Sequence, residues 1–422
     1  MKTIDFIATR IIFSISILLW ASVIPLAAQQ PETGYFTVSG IVRDGHNRRP
    51  LANVSVTVPG SRVGTVSNAD GTFSLKIRHD LTAGEIQFSH VGYLHRLVPV
   101  SGTDHSGLTV YLNSRAILLD DVEIHNRDPL SLVQEALRRI GANYTDHSAL
   151  LTGFYRETIQ KRQPYIEISE AIVEVYATGY TSESRGEAVR IVKGRRLVSP
   201  RTTDTLAVKL QGGPNTYVFG NIVKNREFVL DPQTLHFYRF EIEDVVLIDE
   251  KLHDVVRFHP QVVLPEDALY EGKLYIDREN FTISRAEFRL DMSDRNKVTG
   301  MILRRKPFSL RFYPDEVAYV VGYRERNGRS YLNYIRNTIR FRCDWRRKLF
   351  RTNYTVTAEM VITDGRDDQV FPIPFRETFR QGHSLSDRVG DFYDPGFWED
   401  YNIIAPTESL ESAVDRLRKR ME

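Results

Sequence analysis

The sequence predicts a mainly β protein: a small N-terminal β-sandwich, then a curved antiparallel half-barrel-like domain with a few helices. Three observations predict it. Between Tyr35 and Leu112, short segments alternate apolar and polar residues with period two, and turn residues separate them. From about Leu150 to Arg380 the chain is strand-rich and aromatic, and includes one very long alternating segment. Helical spacing marks two amphipathic stretches, one after Asp128 and one after Pro406. The organisation expected is a signal peptide over 1–28, a sandwich over 35–113 and a linker with an amphipathic helix over 114–147. A half-barrel-like domain over 148–380 and a tail with a C-terminal helix over 381–422 follow.

The N-terminus reads as an export signal. Lys2 and Arg10 are basic, Ile11 to Ile24 is an apolar run, and the small Ala27 and Ala28 suit cleavage before Gln29. The run is shorter than the roughly 20 residues that a spanning helix needs. No cysteine lies near the cut, which argues against a lipid-anchored product. The chain carries 56 Lys and Arg against 54 Asp and Glu, so no global charge draws it to nucleic acid or acidic membranes. Cys343 is the only cysteine, so an intrachain disulfide and a cysteine-based metal site are both excluded. Stability must come from buried cores, for which 41% hydrophobic residues provide material.

In the first domain Phe36, Val38 and Val42 alternate with Thr37, Ser39, Ile41 and Arg43. Val54, Val56 and Val58 form a second strand ended by Pro59-Gly60, and Phe73, Leu75 and Ile77 a third. Asp70-Gly71 is a turn dipeptide. Asn68 and Asp70 supply too few oxygens for a calcium ion and read as turn formers. SGIVRD at 39–44, PLANVSVTVPG at 50–60, GTVSNADGTFSL at 64–75 and FSHVGY at 88–93 resemble the carboxypeptidase-regulatory-like domain. That resemblance implies a seven-stranded transthyretin-like or Ig-like sandwich, common at the N-termini of exported proteins of Bacteroides-type bacteria, and no peptidase activity.

Asp128-Pro129 opens a helix with an N-cap aspartate and proline at its first position; Val133, Ala136, Leu137 and Ile140 line one face, and Gly141 is the expected stop. The face suits docking on the second domain. There, Arg278-Glu279-Asn280 is a turn before a strand from Phe281 to Met292. Tyr331 to Trp345 is the clearest strand: Ile335, Ile339, Phe341 and Cys343 share one face, while Arg336, Arg340, Arg342 and Arg346 share the other. The segments at 154–176, 193–200, 268–290 and 397–417 resemble an exported family of unknown function that follows a carboxypeptidase-regulatory-like module. EGKLYID at 271–277 is similar to the hairpin of periplasmic lipoprotein-carrier proteins, which implies an eleven-stranded half-barrel around a helix that holds acyl chains. No catalytic residue transfers from either resemblance. In the tail, Thr407 is the expected N-cap and Leu410, Ala413, Val414 and Leu417 the apolar stripe.

The spacing of the polar residues asks for no catalytic constellation. None of the 11 histidines has metalloprotease spacing, and all read as turn or surface residues. Gly382 to Ser386 fails the nucleophile-elbow pattern, and no phosphate-cradling glycine loop is present. If Glu167, Glu170 and Glu174 lie on a strand, Glu167 faces away from the other two, and a solvated strand edge is the expectation. Arg304, Arg305, Lys306, Arg340, Arg342 and Arg346 are candidates for contact with an anionic envelope polymer or phosphorylated glycolipid; a solvated face balanced by acids is the bland alternative. The functional expectation is a non-enzymatic exported envelope protein, in the periplasm or at the outer membrane of a Gram-negative bacterium. Its sandwich would contact envelope proteins and its β domain a lipid-like or other apolar ligand, without cofactor or nucleic acid. The alternatives are an outer-membrane β-barrel or TonB-receptor-associated component, although roughly 270 residues are too few for the 22 strands of a full receptor, and an envelope hydrolase.

Overall fold

The structure, a computed structural model, describes residues 34–115, 127–182, 186–199, 201, 206, 208–210, 213–345, 351–380, 383–385, 388–391, 397–398 and 400–418. The expected signal peptide and Arg346 lie outside the described residues.

Seven short strands form the N-terminal module: β1 (Tyr35–Asp44), β2 (Ser55–Thr57), β3 (Gly64–Val66), β4 (Thr72–Arg78), β5 (Glu85–Ser89), β6 (Arg96–Pro99) and β7 (His105–Leu112). They make two sheets, β4-β1-β7 and β3-β2-β5-β6. The period-two alternation puts Phe36, Val38, Val42, Phe73, Leu75, Ile77, Ile86 and Phe88 inside. Phe73 and Phe88 meet edge-on at 5.1 Å. Burying each such side chain stabilises the module by about 2 kcal/mol. β1 pairs β4 antiparallel but β7 parallel, with a register shift between Val38 and Gly40. At Gly40 a Cβ would fall 1.9 Å from the Leu108 carbonyl oxygen, so only glycine fits that crossing.

Helix α1 (Pro129–Arg138) is capped as expected: the Asp128 carboxylate accepts from Ser131 N at 2.8 Å, and Leu132, Val133, Ala136 and Leu137 are buried. Gly141 does not stop it. The helix ends at Arg139, and the chain makes one further turn over Ile140–Asn143 before Tyr144 extends. The apolar Ile140 keeps that turn packed in the same core.

The second domain adds β8 (Ala149–Lys161), β9 (Tyr165–Ala177), β10 (Ala188–Val198), β11 (Lys209–Leu210), β12 (Tyr238–Ile248), β13 (Lys251–Pro260), β14 (Tyr270–Asp277) and β15 (Ile283–Leu290). Helix α2 (Arg295–Ile302), β16 (Leu303–Arg305), β17 (Leu310–Arg326), β18 (Arg329–Trp345), β19 (Thr352–Arg366), β20 (Gly390–Asp391) and helix α3 (Glu408–Arg418) complete it. Eleven strands form one curved sheet in the linear order β12-β13-β14-β15-β17-β18-β19-β8-β9-β10-β20, so β12 and β20 are edges and the sheet is not a closed barrel. Every pairing is antiparallel except β10 with β20. The β17–β18 hairpin turns at Asn327-Gly328, both at positive φ, as a tight two-residue connection requires.

Alternation divides the sheet's side chains between two covered faces. The inner face carries Leu151, Tyr155, Val173, Val256, Leu274, Ile335 and Phe341, packed with α1 and α2 into the main core. On the outer face Phe154, Ile172, Tyr334 and Val361 pack with Val66 of the sandwich and with Phe397, Trp398 and Ile404 of the tail. The tail is therefore a strap between the domains. Asn402 exchanges hydrogen bonds with the Lys76 backbone at 2.6 and 2.9 Å, and Thr65 donates to Ile403 O at 2.9 Å. Asn68 and Asp70 are turn formers, as expected: Asn68 Oδ1 accepts from Asp70 N and Thr72 N. They also hold the strap. Asn68 Nδ2 donates to Ala405 O and Pro406 O, and Asp70 Oδ2 accepts from Glu408 N at 2.7 Å beside the Thr407 cap of α3. Beyond the strap, Arg62 of the sandwich is 4% exposed and ion-paired with Asp367, and Gly92 N donates to Leu247 O.

Candidate functional site

The inner face is covered in two different ways. Next to β17 and β18, residues 213–225 are fastened by polar contacts: Tyr217 OH donates to Leu332 O, Asn221 bridges the hydroxyls of Tyr180 and Tyr323, and Val223 N donates to Tyr323 OH. Lys224 pairs with Glu187 at 2.7 Å. Burial pushes the phenols of Tyr144, Tyr217 and Tyr323 well above their ordinary range, and that of Tyr180 likewise upward, so these groups stay neutral donors and acceptors.

Toward β12 the cover changes. Tyr238 and Phe240 on β12, Phe258 on β13, Tyr270 on β14, Phe288 on β15 and Tyr319 on β17 form an aromatic belt across five strands. The rings touch in two groups of three, Tyr238 with Phe240 and Phe258 at 5.7–6.4 Å and Tyr270 with Phe288 and Tyr319 at 5.0–6.3 Å, with Gly272 between the groups; Phe288 and Tyr319 are stacked. Each sits at alternate positions of its strand, which turns all six rings to one face. The same core holds Val298 and Ile302 of α2 with Met292, Met301 and Leu303; α2 packs on β17, and α1 on β12. Asp294 caps α2, and Lys297 Nζ ties it to Leu264 O at 2.6 Å. The two-residue β11–β16 ladder holds its other end. The cover is thus short, apolar and rich in adaptable methionine. The alternation of Tyr238 with Phe240 was readable in the sequence, but the gathering of six rings from five strands on one face was not.

The glutamates depart from expectation. Glu167 does face away from Glu170 and Glu174, but β9 is an interior strand between β8 and β10. Glu170 is 3% exposed, not solvated: its Oε1 accepts from Arg156 Nε and its Oε2 from Arg195 Nε, both at 2.8 Å. Arg156 also donates to Ile404 O of the strap, and Arg195 lies over the Trp398 ring at 5.0 Å. Burial pushes the Glu170 carboxyl upward, but the two guanidinium groups outweigh it and hold the carboxyl below its usual range. Strand neighbours cover only the sides of this ion cluster; tail residues cover its top. Glu174 pairs with Arg190 at a groove of about 380 Å³ that Glu377 also lines.

Of the basic candidates, Arg340 and Arg342 point outward from β18 as predicted, and their charges are neutralised. Arg340 pairs with Glu316 at 2.9 Å, and Arg342 grips Asp315 through both ends of its guanidinium at 2.8 and 2.9 Å. Arg304, Arg305 and Lys306 are exposed, and neither arginine forms an ion pair with a described residue. Arg346 lies outside the described residues. Of the five that are described, two are matched by acids and three form no ion pair with a described residue.

No group of three or more His, Cys, Asp or Glu side chains able to hold a metal occurs among the described residues. His253 corrects the reading of all histidines as turn or surface residues. It is 1% exposed on β13, its Nδ1 donating to Lys251 O and its Nε2 accepting from Ser284 Oγ, and burial lowers its pKa. Both ring nitrogens have protein partners, which fits a neutral structural imidazole. Glu157 has a raised pKa because it is buried, opposed by the Tyr155 hydroxyl and reinforced by Glu167. Cys343 faces inward and burial pushes its thiol up to about 12.

Against this geometry, the likeness to known proteins is confined to the first module at the level of sequence. Residues 38–124 match the CarboxypepD_reg-like domain family. That match coincides with the strands from β1 onward and includes the two-sheet sandwich. No curated protein matches the chain. Similar solved structures include a DUF1329 family protein from Desulfovibrio piger, 9% identical over 58% of this chain and 95% of that one, TM-score 0.26. A putative outer membrane lipoprotein-sorting protein domain from Vibrio parahaemolyticus is 9% identical over 58% and 93%, TM-score 0.27. A LolA superfamily protein from Nitrosomonas europaea is 12% identical over 60% and 98%, TM-score 0.22.

Proposed function

We infer that this is a non-enzymatic exported envelope protein whose CarboxypepD_reg-like module contacts other envelope proteins and whose half-barrel holds a lipid-like or other apolar ligand. The aromatic belt carries the reading. Six rings from Tyr238 to Tyr319 turn to one end of the inner face, and the same core holds the eight-residue helix α2, packed on β17, with Met292 and Met301. The other part of that face is closed by hydrogen bonds that a ligand would have to break. An acyl chain or similar apolar molecule lying on the belt would exchange aliphatic cover for aliphatic ligand, and the rings would give it a flat, rigid wall. Export rests on the charged, apolar and small-residue order of 1–28.

The chain, expressed with its N-terminal signal in a bacterial periplasm, should co-purify with an apolar molecule seen by native mass spectrometry and identified after lipid extraction. Replacing Phe258 and Phe288 by leucine should lower that occupancy. A protein that emerges ligand-free, and that takes up no fluorescent fatty acid in titration, would overturn the ligand half of the reading. Turnover of peptides, esters or glycans by the purified chain would overturn the non-enzymatic half.

A further inference from the structure

We propose that the end of the half-barrel remote from the sandwich is a membrane-docking tip that seats on an anionic lipid surface. The two most exposed large apolar side chains among the described residues, Phe308 at 88% and Val263 at 86%, occur at that same end. Strand register puts them there. Val263 lies in the β13–β14 connection, after Pro260 and before Tyr270, and Phe308 lies two residues before Leu310, which pairs with Trp345 at the terminus of the β17–β18 ladder. Lys297 of α2 joins the two connections through Leu264 O. The sandwich engages the opposite end and the outer face, at Leu247, Asp364 and Asp367 beside the β12–β13 and β17–β18 turns.

Charge identifies the occupant. The stretch from Leu303 to Arg311 contains four cations, Arg304, Arg305, Lys306 and Arg311, and no acid. All four are exposed, and no arginine among them forms an ion pair with a described residue, whereas Arg340 and Arg342 farther along the sheet are both matched by carboxylates. The acids nearest in sequence are engaged elsewhere: Asp315 holds Arg342 and Arg295, Glu316 holds Arg340, and Asp344, opposite Arg311 in the ladder, holds Arg351, while Glu266 and Asp267 lie in the Val263 connection and Asp294 pairs with Lys297. An exposed phenylalanine within a stretch of four exposed cations and no acid fits a bilayer boundary, where the ring enters the headgroup layer and the cations meet lipid phosphates. The belt's helical cover leads directly into this basic connection, so a bilayer held here would adjoin the cover of the proposed ligand site. The tip does not depend on that site being filled.

The test is flotation of residues 29–422, which lack the apolar N-terminal run, with vesicles of equal parts phosphatidylglycerol and phosphatidylcholine, and with phosphatidylcholine alone. Binding is expected to the anionic vesicles only and to weaken as salt is raised. Arg304→Ser with Arg305→Ser should weaken it about 30-fold and Phe308→Ser about tenfold. Arg340→Ser, which removes a matched charge, should change it less than threefold, and thermal unfolding should be the same in all four proteins. Equal binding to both vesicle types, no binding to either, or an Arg340→Ser effect as large as that of the double variant would overturn the proposal. Lipid found in the periplasmic preparation alongside failed flotation would leave the belt reading standing and remove the tip alone.

Discussion

Arg156 Nε donates to Glu170 Oε1 at 2.8 Å across β8 and β9, with both side chains 4% exposed. The pair is completed on one side by Arg195 and on the other by a carbonyl of the strap. Arg156 also lies 3.6 Å from Glu359, and such buried guanidinium groups survive only when their charge and donors have partners. Glu170→Ala should therefore cost about 3–5 kcal/mol, since it leaves two cations without their shared counter-charge. Urea unfolding followed by tryptophan fluorescence would measure it. Replacing Arg156, Glu170 and Arg195 together by Met, Leu and Met should cost less than the single change.

The same pair makes stability depend on pH with a defined sign. The Glu170 carboxyl is depressed in the folded protein, so the unfolded chain binds the extra proton first. Its contribution is fully present above the unfolded carboxyl value, near 4.3 for glutamate, and is lost as pH falls through the folded value. Glu157 acts in the opposite direction. Its raised pKa means that the folded state holds the proton longer, so stability falls as pH rises from the unfolded value through the folded one. Glu157→Gln should raise the thermal midpoint at neutral pH, with the gain vanishing toward pH 4. A gain that grows on acidification would contradict this assignment.

The strap should come loose without unfolding either domain. Asn402→Ala removes both hydrogen bonds to the Lys76 backbone, and Asp70→Ala removes the carboxylate at Glu408 N, a cap worth about 1 kcal/mol. In the double variant, hydrogen exchange should accelerate across 400–408 and the first turn of α3 while β8 and β19 keep their protection. Equal acceleration in β8 would mean that the strap and the sheet open as one unit.

Cys343 offers a clean reporter of global opening. It is 3% exposed on the inner face of β18, and burial raises its thiol to about 12. A disulfide reagent at pH 8 should leave it unmodified in the native protein for as long as β18 remains paired, and should react at the rate of global unfolding in moderate urea. Rapid modification without denaturant would show that this part of the core breathes locally.

Phe73, Leu75 and Ile77, Asp128-Pro129, and Ile335, Ile339 and Phe341 each declared their element by spacing alone. The mainly β class, the sandwich, the α1 start and the two-faced character of β18 were therefore legible in the chain, because period two and helical capping are local rules. Local rules also placed Glu170 and Glu174 opposite Glu167. They could not reveal that the face bearing Glu170 is buried, since its cover, Trp398 and Ile404, lies more than 220 residues downstream. A still longer separation hid the second task of Asn68 and Asp70, while Arg304 and Arg340 look alike until the β17–β18 pairing sets Glu316 and Asp315 beside Arg340 and Arg342. Periodicity determines which residues share a face. Only the tertiary structure decides what covers that face and which charges it leaves unmatched, because both are set by contacts between segments that the sequence holds far apart.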